Sequence, residues 1–242
     1  MFRGGVTLMI LLLPSVSAAQ FLSVRPATRE TLPSSETAVD DVAAAVEIEG
    51  DDRPPIFVLR SEVDLAMRFE LAARGQRIPP AGQLAAVSRS MLEQVIGERL
   101  LEREAARALD PEPTTDALEE EHTQLASRVA PAGGINGLIR SGGFGPGDFD
   151  KFVRRRLIVG QFLERHLLRS VEPTRAELRA AYDEERIAPY RAQNVPFQSV
   201  RADIRAVLIR EGYARAIQAY LRSIGSRARV RLWTEVAEPD AT

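Results

Sequence analysis

The chain has 242 residues, of which 45% are hydrophobic and 27% charged, ordinary globular values for a length able to bury a real core. A formal net charge of -2 gives no global attraction to nucleic acid, and the absence of cysteine excludes disulfides and a lipid-tethering cysteine. The charge is unevenly spread: residues 30–121 hold 21 acids against 9 arginines, a net of -12, whereas residues 175–231 hold 12 arginines against 6 acids, a net of +6. Such asymmetry lets the two ends attract each other, or makes a charged binding surface.

The first residues, MFRGGVTLMILLLPSVSAAQ, combine a basic start at Arg3, an apolar run from Val6 to Leu13, a helix-breaking Pro14 and small residues at 16–19. This pattern predicts a cleavable secretory signal over residues 1–19, cut after Ala18 or Ala19. The apolar run is shorter than the roughly 20 residues of a membrane span, so the expectation is an exported chain without a membrane span, in the periplasm. Residues 20–38 are rich in Pro, Ser and Thr without apolar periodicity and are expected to form a flexible leader.

A single folded body is expected over residues 39–236, with 237–242 as a tail. Val42 to Ile48 and Ile56 to Leu59 read as paired strands around a turn cluster at Gly50 to Pro55. Ser61 with Asp64 suggests a capping box and Gly75 a stop, which predicts a helix from about Glu62 to Arg74. A longer amphipathic helix follows in QLAAVSRSMLEQVIGERLLEREAARAL, with its stripe on Leu84, Val87, Met91, Val95 and Leu100 or Leu101. Thr114 or Thr115 caps the next helix, and acids in its first turn suit the helix dipole.

Glycines then cluster around one short apolar turn, Ile135 to Ile139, before a helix carrying Phe149, Phe152, Val153, Leu157, Val159, Phe162, Leu163 and Leu167. Thr174 and Glu177 form another capping box, opening a connector over residues 171–195 that Pro189 and Pro196 interrupt. A helix resumes from Phe197 to Ile224, Gly225 ends it, and ARVRLWTEV alternates like an edge strand. The fold class is mostly α, with a short β-hairpin near the N-terminus and a C-terminal helix plus short strand docking back.

The order of these pieces, from LRSEVDL through MLEQVIGERLLEREA and TTDALEEE to FDKFVRRRLIVGQFL, resembles the N-terminal domain of SurA-type periplasmic chaperones. The segment VEPTRAELRAAYDEE resembles the helix that precedes a parvulin-type peptidyl-prolyl isomerase domain in such proteins, and PFQSVRADIRAVLIREGYARAIQAYLRSIGSRARVRL resembles the helix and strand after it. The likeness covers about Val39 to Leu232 and rests on caps and apolar spacing. A parvulin domain takes roughly a hundred residues, while about a dozen separate Glu185 from Phe197. The resemblance therefore implies a chaperone-like body that lacks the isomerase.

Other chemistry is weakly supported by the residues. His122 and His166 are the only histidines, and a metal site would have to combine His122 with Glu119 or Glu121, so a solvated acidic helix start accounts better for that stretch. There is no G-x-S-x-G stretch, and GGFGPGD lacks the Gly-Lys-Ser/Thr of a phosphate loop. The RRR run at Arg154 to Arg156 reads as a charged outer face with one inward stem. No enzymatic role, cofactor or metal is expected.

A chaperone holds clients on apolar, adaptable surface left over from its own core. The candidates are Met67, Phe69, Phe144, Phe149, Tyr182, Tyr190 and Phe197, with Met91 beside them; Phe144 in its glycine-rich turn and Tyr190 near the prolines are the least explained by helix packing. The expected function is a periplasmic holdase for unfolded or extended segments of exported proteins, outer-membrane proteins among them, held in a cleft between the N-terminal helices and the C-terminal helix. The alternatives are an envelope scaffold that binds one partner and, less favoured, a prolyl isomerase. The expected partners are polypeptides, not nucleic acid.

Overall fold

The computed structural model describes residues 24–26, 41–76, 87–108, 112–130, 133–183, 195–233 and 236–237. The fold is mostly helical with a small sheet, as the sequence pattern requires. Among the described residues the chain forms two compact units, Gln161–Tyr220 and a larger one made of residues 24–160 and 221–237, where the sequence suggests one body. The signal-peptide assignment lies outside the described residues; of the expected tail only Ala237 is described, and it ends a short strand.

The larger unit is built on β1 (Val24–Pro26), β2 (Val42–Ile48), β3 (Ile56–Leu59) and β5 (Ala228–Leu232), a four-stranded sheet in the order β1-β5-β2-β3. The hairpin β2–β3 and the β2–β5 pair are antiparallel, and β1 runs parallel to β5. Two expectations are corrected here. Strand β5 is interior, with both its edges paired, and residues 24–26 of the supposed leader form an edge strand. Pro26 fits that edge, because a residue with no N–H is tolerated where one side of the strand lacks a partner.

Alternation explains the sheet's two faces. Val46 stands opposite Ile56 and Val230, and all three are buried. Ala45 stands between Phe57 and Arg231 on the other face, where Phe57 is 48% exposed and Arg231 lies 3.7 Å from the Glu47 carboxylate.

Helix α1 (Arg60–Ala73) starts earlier than the Ser61 signal implies: Leu59 is the N-cap, and its N–H donates to Glu62 Oε2 at 3.1 Å. Gly75, at φ 67°, stops the helix as expected, and the Gln76 N–H closes onto Leu71 O at 2.8 Å. Helix α2 (Arg89–Arg107) is shorter than its apolar stripe suggests, because Val87–Ser88 is β4, paired in parallel with β6 (Val236–Ala237). Its expected first turns lie outside the described residues. α2 is buried on most of its circumference, through Leu92, Val95, Ile96, Leu100 and Leu101.

Helix α3 (Thr115–Val129) is capped by Thr114, whose Oγ1 accepts the Ala117 N–H at 3.3 Å. The glycine-rich segment is more ordered than a single turn: α4 spans Gly134–Gly142 and ends in Gly143 at φ 74°, with the Phe144 N–H donating to Ile139 O at 3.1 Å. Helix α5 (Pro146–Leu167) begins on a proline, whose missing N–H costs nothing at a helix start, and Asp148 Oδ2 accepts the Gly145 N–H at 3.0 Å. After a 3-10 turn at Leu168–Val171, α6 (Arg175–Asp183) opens with the expected capping box: Glu177 accepts from Thr174 N at 2.7 Å and Thr174 Oγ1 accepts from Glu177 N at 3.2 Å. The last helix, α7, covers Phe197–Gly225.

Inside the smaller unit, Leu178 and Ala181 of α6 pack on Val200 and Ile204 of α7, with Tyr182, Val195, Phe197 and Leu208 half-buried around them. Inside the larger unit the end of α7 is anchored: Ile224 is buried, and the Leu221 side chain sits 3.7 Å from where a Cβ on Gly97 would stand. The C-terminal strand thus docks back into the sheet, as the sequence implies.

Candidate functional site

A groove of about 560 Å³ with an apolar wall and floor lies between α3 and the first turns of α5 in the larger unit. Leu118 and His122 form its wall on α3, four residues apart and so on one face, and Val153 forms its floor on α5. Thr115, Glu119 and Thr123 make one rim, and Asp150, Lys151 and Arg154 the other. Among the described residues the rim cations form surface pairs, Lys151 with Asp148 at 3.5 Å and Arg154 with Glu112. Such pairs contribute little and rearrange readily.

The floor, by contrast, is backed by rigid packing. The His122 ring stands edge-on to Phe149, 5.3 Å between centroids, and Phe149 lies 6.0 Å from Phe152, which lies 5.2 Å from Phe69. The Arg156 guanidinium covers the Phe69 and Phe152 rings at 5.6 and 5.3 Å. Arg155 donates to Glu62 Oε1 at 2.6 Å, and the fully buried Arg68 donates to both oxygens of Asp64 at 2.9 and 3.0 Å. The RRR run therefore has two inward members, Arg155 and Arg156, and one outward, Arg154. Buried guanidiniums need such partners, since an unpaired charge in an apolar interior is strongly disfavoured.

Burial pushes the carboxyls of Asp64 and Glu121 up, an effect opposed by Arg68 at Asp64 and by Arg156 and Arg128 at Glu121. Burial also pulls Arg128 down, and the neighbouring Arg156 charge adds to it. In the smaller unit the Tyr213 hydroxyl is pushed up to about 12 by burial and by the Glu164 charge.

Two other grooves differ in kind. One of about 570 Å³ follows the free edge of β3, lined by Phe57, Leu59, Arg99 and Arg103 among others. That edge is already occupied: Arg99 donates to Phe57 O at 3.4 Å, Arg103 to Pro54 O at 2.6 Å, and Leu59 N–H is held by Glu62. Side chains that plug an edge strand oppose the addition of another strand. The other, about 550 Å³ in the smaller unit, has a floor of small residues, Ala180, Ala181, Gly212 and Ala216, with Leu208 and Arg215 at its side.

The client-contact residues expected from the sequence do not gather into one surface. Phe69 and Phe149 are buried in the core, so they offer no surface to a client; their aromatic area is spent on Phe152, Arg156 and His122. Phe149 nonetheless supports the groove wall from behind. Met67 and Met91 are half-buried on α1 and α2. Phe144 is half-buried, and its ring lies over Gly142, so the local ending of α4 accounts for it. Tyr190 lies outside the described residues. Tyr182 and Phe197 do meet, edge-on at 5.4 Å, with Arg179 over both rings and the Tyr182 hydroxyl donating to Val195 O at 2.7 Å.

The groove residues Leu118, His122 and Val153 were not singled out as a surface by the sequence. The available signal was the i, i+4 pair Leu118–His122 inside an otherwise acidic helix start, which reads equally well as a solvated turn. Among the described residues no group of three or more His, Asp or Glu side chains is placed to hold a metal ion, and no helix is long and apolar enough to cross a membrane. Comparisons with family models, with curated proteins and with solved structures find no match to this chain.

Proposed function

We propose that the chain is an exported chaperone that holds extended apolar segments of other exported proteins in the α3/α5 groove, without prolyl isomerase activity. The observation that carries this reading is the contrast within the groove: an apolar wall and floor fixed by the aromatic cluster, between rims of exposed, loosely paired charges. A rigid apolar floor gives binding energy at low entropic cost. Charged rims keep the empty groove hydrated and admit segments of varied sequence. The order of caps and helices that resembles SurA-type chaperones, and the basic-apolar-small pattern of residues 1–19, support export and a periplasmic site of action.

The reading without isomerase rests on the connector. Tyr182 and Val195 are bonded at 2.7 Å, and only residues 184–194 join Asp183 to Val195, too short a stretch for a domain of roughly a hundred residues. An isomerase must lower a barrier of about 18–20 kcal/mol, which takes an enclosed cavity around the proline.

The test is suppression of aggregation of several unrelated unfolded exported proteins by the mature chain. Suppression of all of them, weakened by Leu118→Ser at unchanged melting temperature, is the expected result. Capture of one folded partner, with no suppression, would favour the scaffold reading; acceleration of X-Pro isomerisation in a short peptide would overturn the connector argument.

A further inference from the structure

His122 occupies an unusual place in this groove. Its ring forms part of the apolar wall, edge-on to Phe149 at 86° between planes, and among the described residues no hydrogen bond or ion pair engages its nitrogens. The charged groups that share the groove with it are Glu119 from its own helix and Asp150, Lys151 and Arg154 from α5. Carboxylates, lysine and arginine ordinarily keep their charge between about pH 5 and 8, whereas histidine is the side chain that changes it there.

We infer that His122 makes client binding in the α3/α5 groove proton-linked: the neutral imidazole is part of the apolar wall that a client covers, and the protonated ring releases the client. This rests on the chaperone reading above and adds its regulation. An apolar segment laid over the wall strips water from the ring. A neutral imidazole tolerates this, but an imidazolium loses its hydration and gains no acceptor from an apolar client, a penalty that burial of an unpaired charge always carries. Covering the groove therefore disfavours the proton, and by linkage the proton disfavours the client to the same extent. The rim holds two acids and two bases, all exposed or surface-paired, so a shift in client charge is not needed for the effect.

The experiment uses the full mature chain and a fluorophore-labelled, end-capped synthetic peptide of leucine and serine, which carries no group titrating in this range. Affinity is measured at about pH 7.5 and about pH 5.5. A single histidine that must be neutral in the complex produces a loss of about tenfold at the lower pH. The His122→Gln and His122→Phe variants are expected to bind equally at both values, and His166→Gln, in the other unit, to keep the loss. The inference is overturned if the wild-type chain binds equally at both pH values, or if folded His122→Gln or His122→Phe retains the loss. Absence of binding at either pH overturns the chaperone reading, and the inference with it.

Discussion

The two compact units keep their interiors dry by different means. The larger one buries a sheet face, most of α2 and an aromatic cluster whose polar companions are paired arginines, Arg68, Arg155 and Arg156. The smaller one buries Phe162, Leu163, Tyr213 and Ile217, and joins α6 to α7 through Leu178, Ala181, Val200 and Ile204, with a half-buried clasp of Tyr182, Phe197 and Arg179. A thick core makes a rigid floor for a binding groove. The α6–α7 corner, held by four buried residues, a capping box and one aromatic contact, opens at lower free energy.

The largest way to break this contrast is Phe69→Ala, which removes one end of the aromatic cluster and uncovers the buried Arg156. A loss of about 3–5 kcal/mol, read by denaturant unfolding, is expected. Ile204→Ala should cost about 2 kcal/mol, at the lower end for such a truncation, because part of its surroundings, Tyr182, Val195, Phe197 and Leu208, is half-buried and can close on the space left. Its signature is faster amide exchange confined to α6 and the first half of α7; a uniform loss of protection across the sheet would contradict the division into units. Thr174→Ala, which removes one arm of the capping box, should cost about 1 kcal/mol and affect α6 alone.

Two glycines sharpen the comparison further. A Cβ at Gly142 would collide with the Phe144 ring, so Gly142→Ala should displace that ring and cost about 1 kcal/mol. A Cβ at Gly97 meets only Leu221 at an ordinary 3.7 Å, so Gly97→Ala should stabilise by up to about 1 kcal/mol, since alanine suits a helix interior better. Thermal melting of the two variants should therefore move in opposite directions.

The titration of the interior gives the smallest effect. Asp64 and Glu121 hold their protons more tightly folded than unfolded, so their contribution is fully present in acid and is lost as the pH rises through their raised values. Asp51, drawn from 3.8 to about 2 by hydrogen bonds and charge from Arg53, acts in the opposite sense: its contribution is present above 3.8 and fades as the pH falls to about 2. Stability should thus peak in mild acid, and Glu121→Gln should flatten the decline towards neutral pH.

Much of the fold was legible in the sequence because its signals are local. Gly75, the Thr114 cap and the Thr174–Glu177 box each act within one helical turn, and the β2–β3 pair was written in alternation around a turn cluster. The pairing of β5 between β1 and β2 was not legible, since an alternating segment states which face is buried but not whether its edges are free. The inward turn of Arg155 and Arg156 depends on Glu62, Glu70 and the aromatic rings, partners distant in sequence. The candidate site was the least legible part. Aromatics attract attention as client contacts, yet Phe69 and Phe149 are large enough that the core claims them first, leaving the open wall to a leucine and a histidine in an acidic helix.

The central claim is that clients lie in the α3/α5 groove. A photoreactive side chain placed at Thr123 or Lys151 on its rims, or at the exposed Arg201 of the smaller unit, tests it most directly in the full chain with an unfolded exported protein. The account predicts strong cross-linking from Thr123 and Lys151 and little from Arg201. Equal cross-linking at all three positions, or adducts from Arg201 alone, would contradict it.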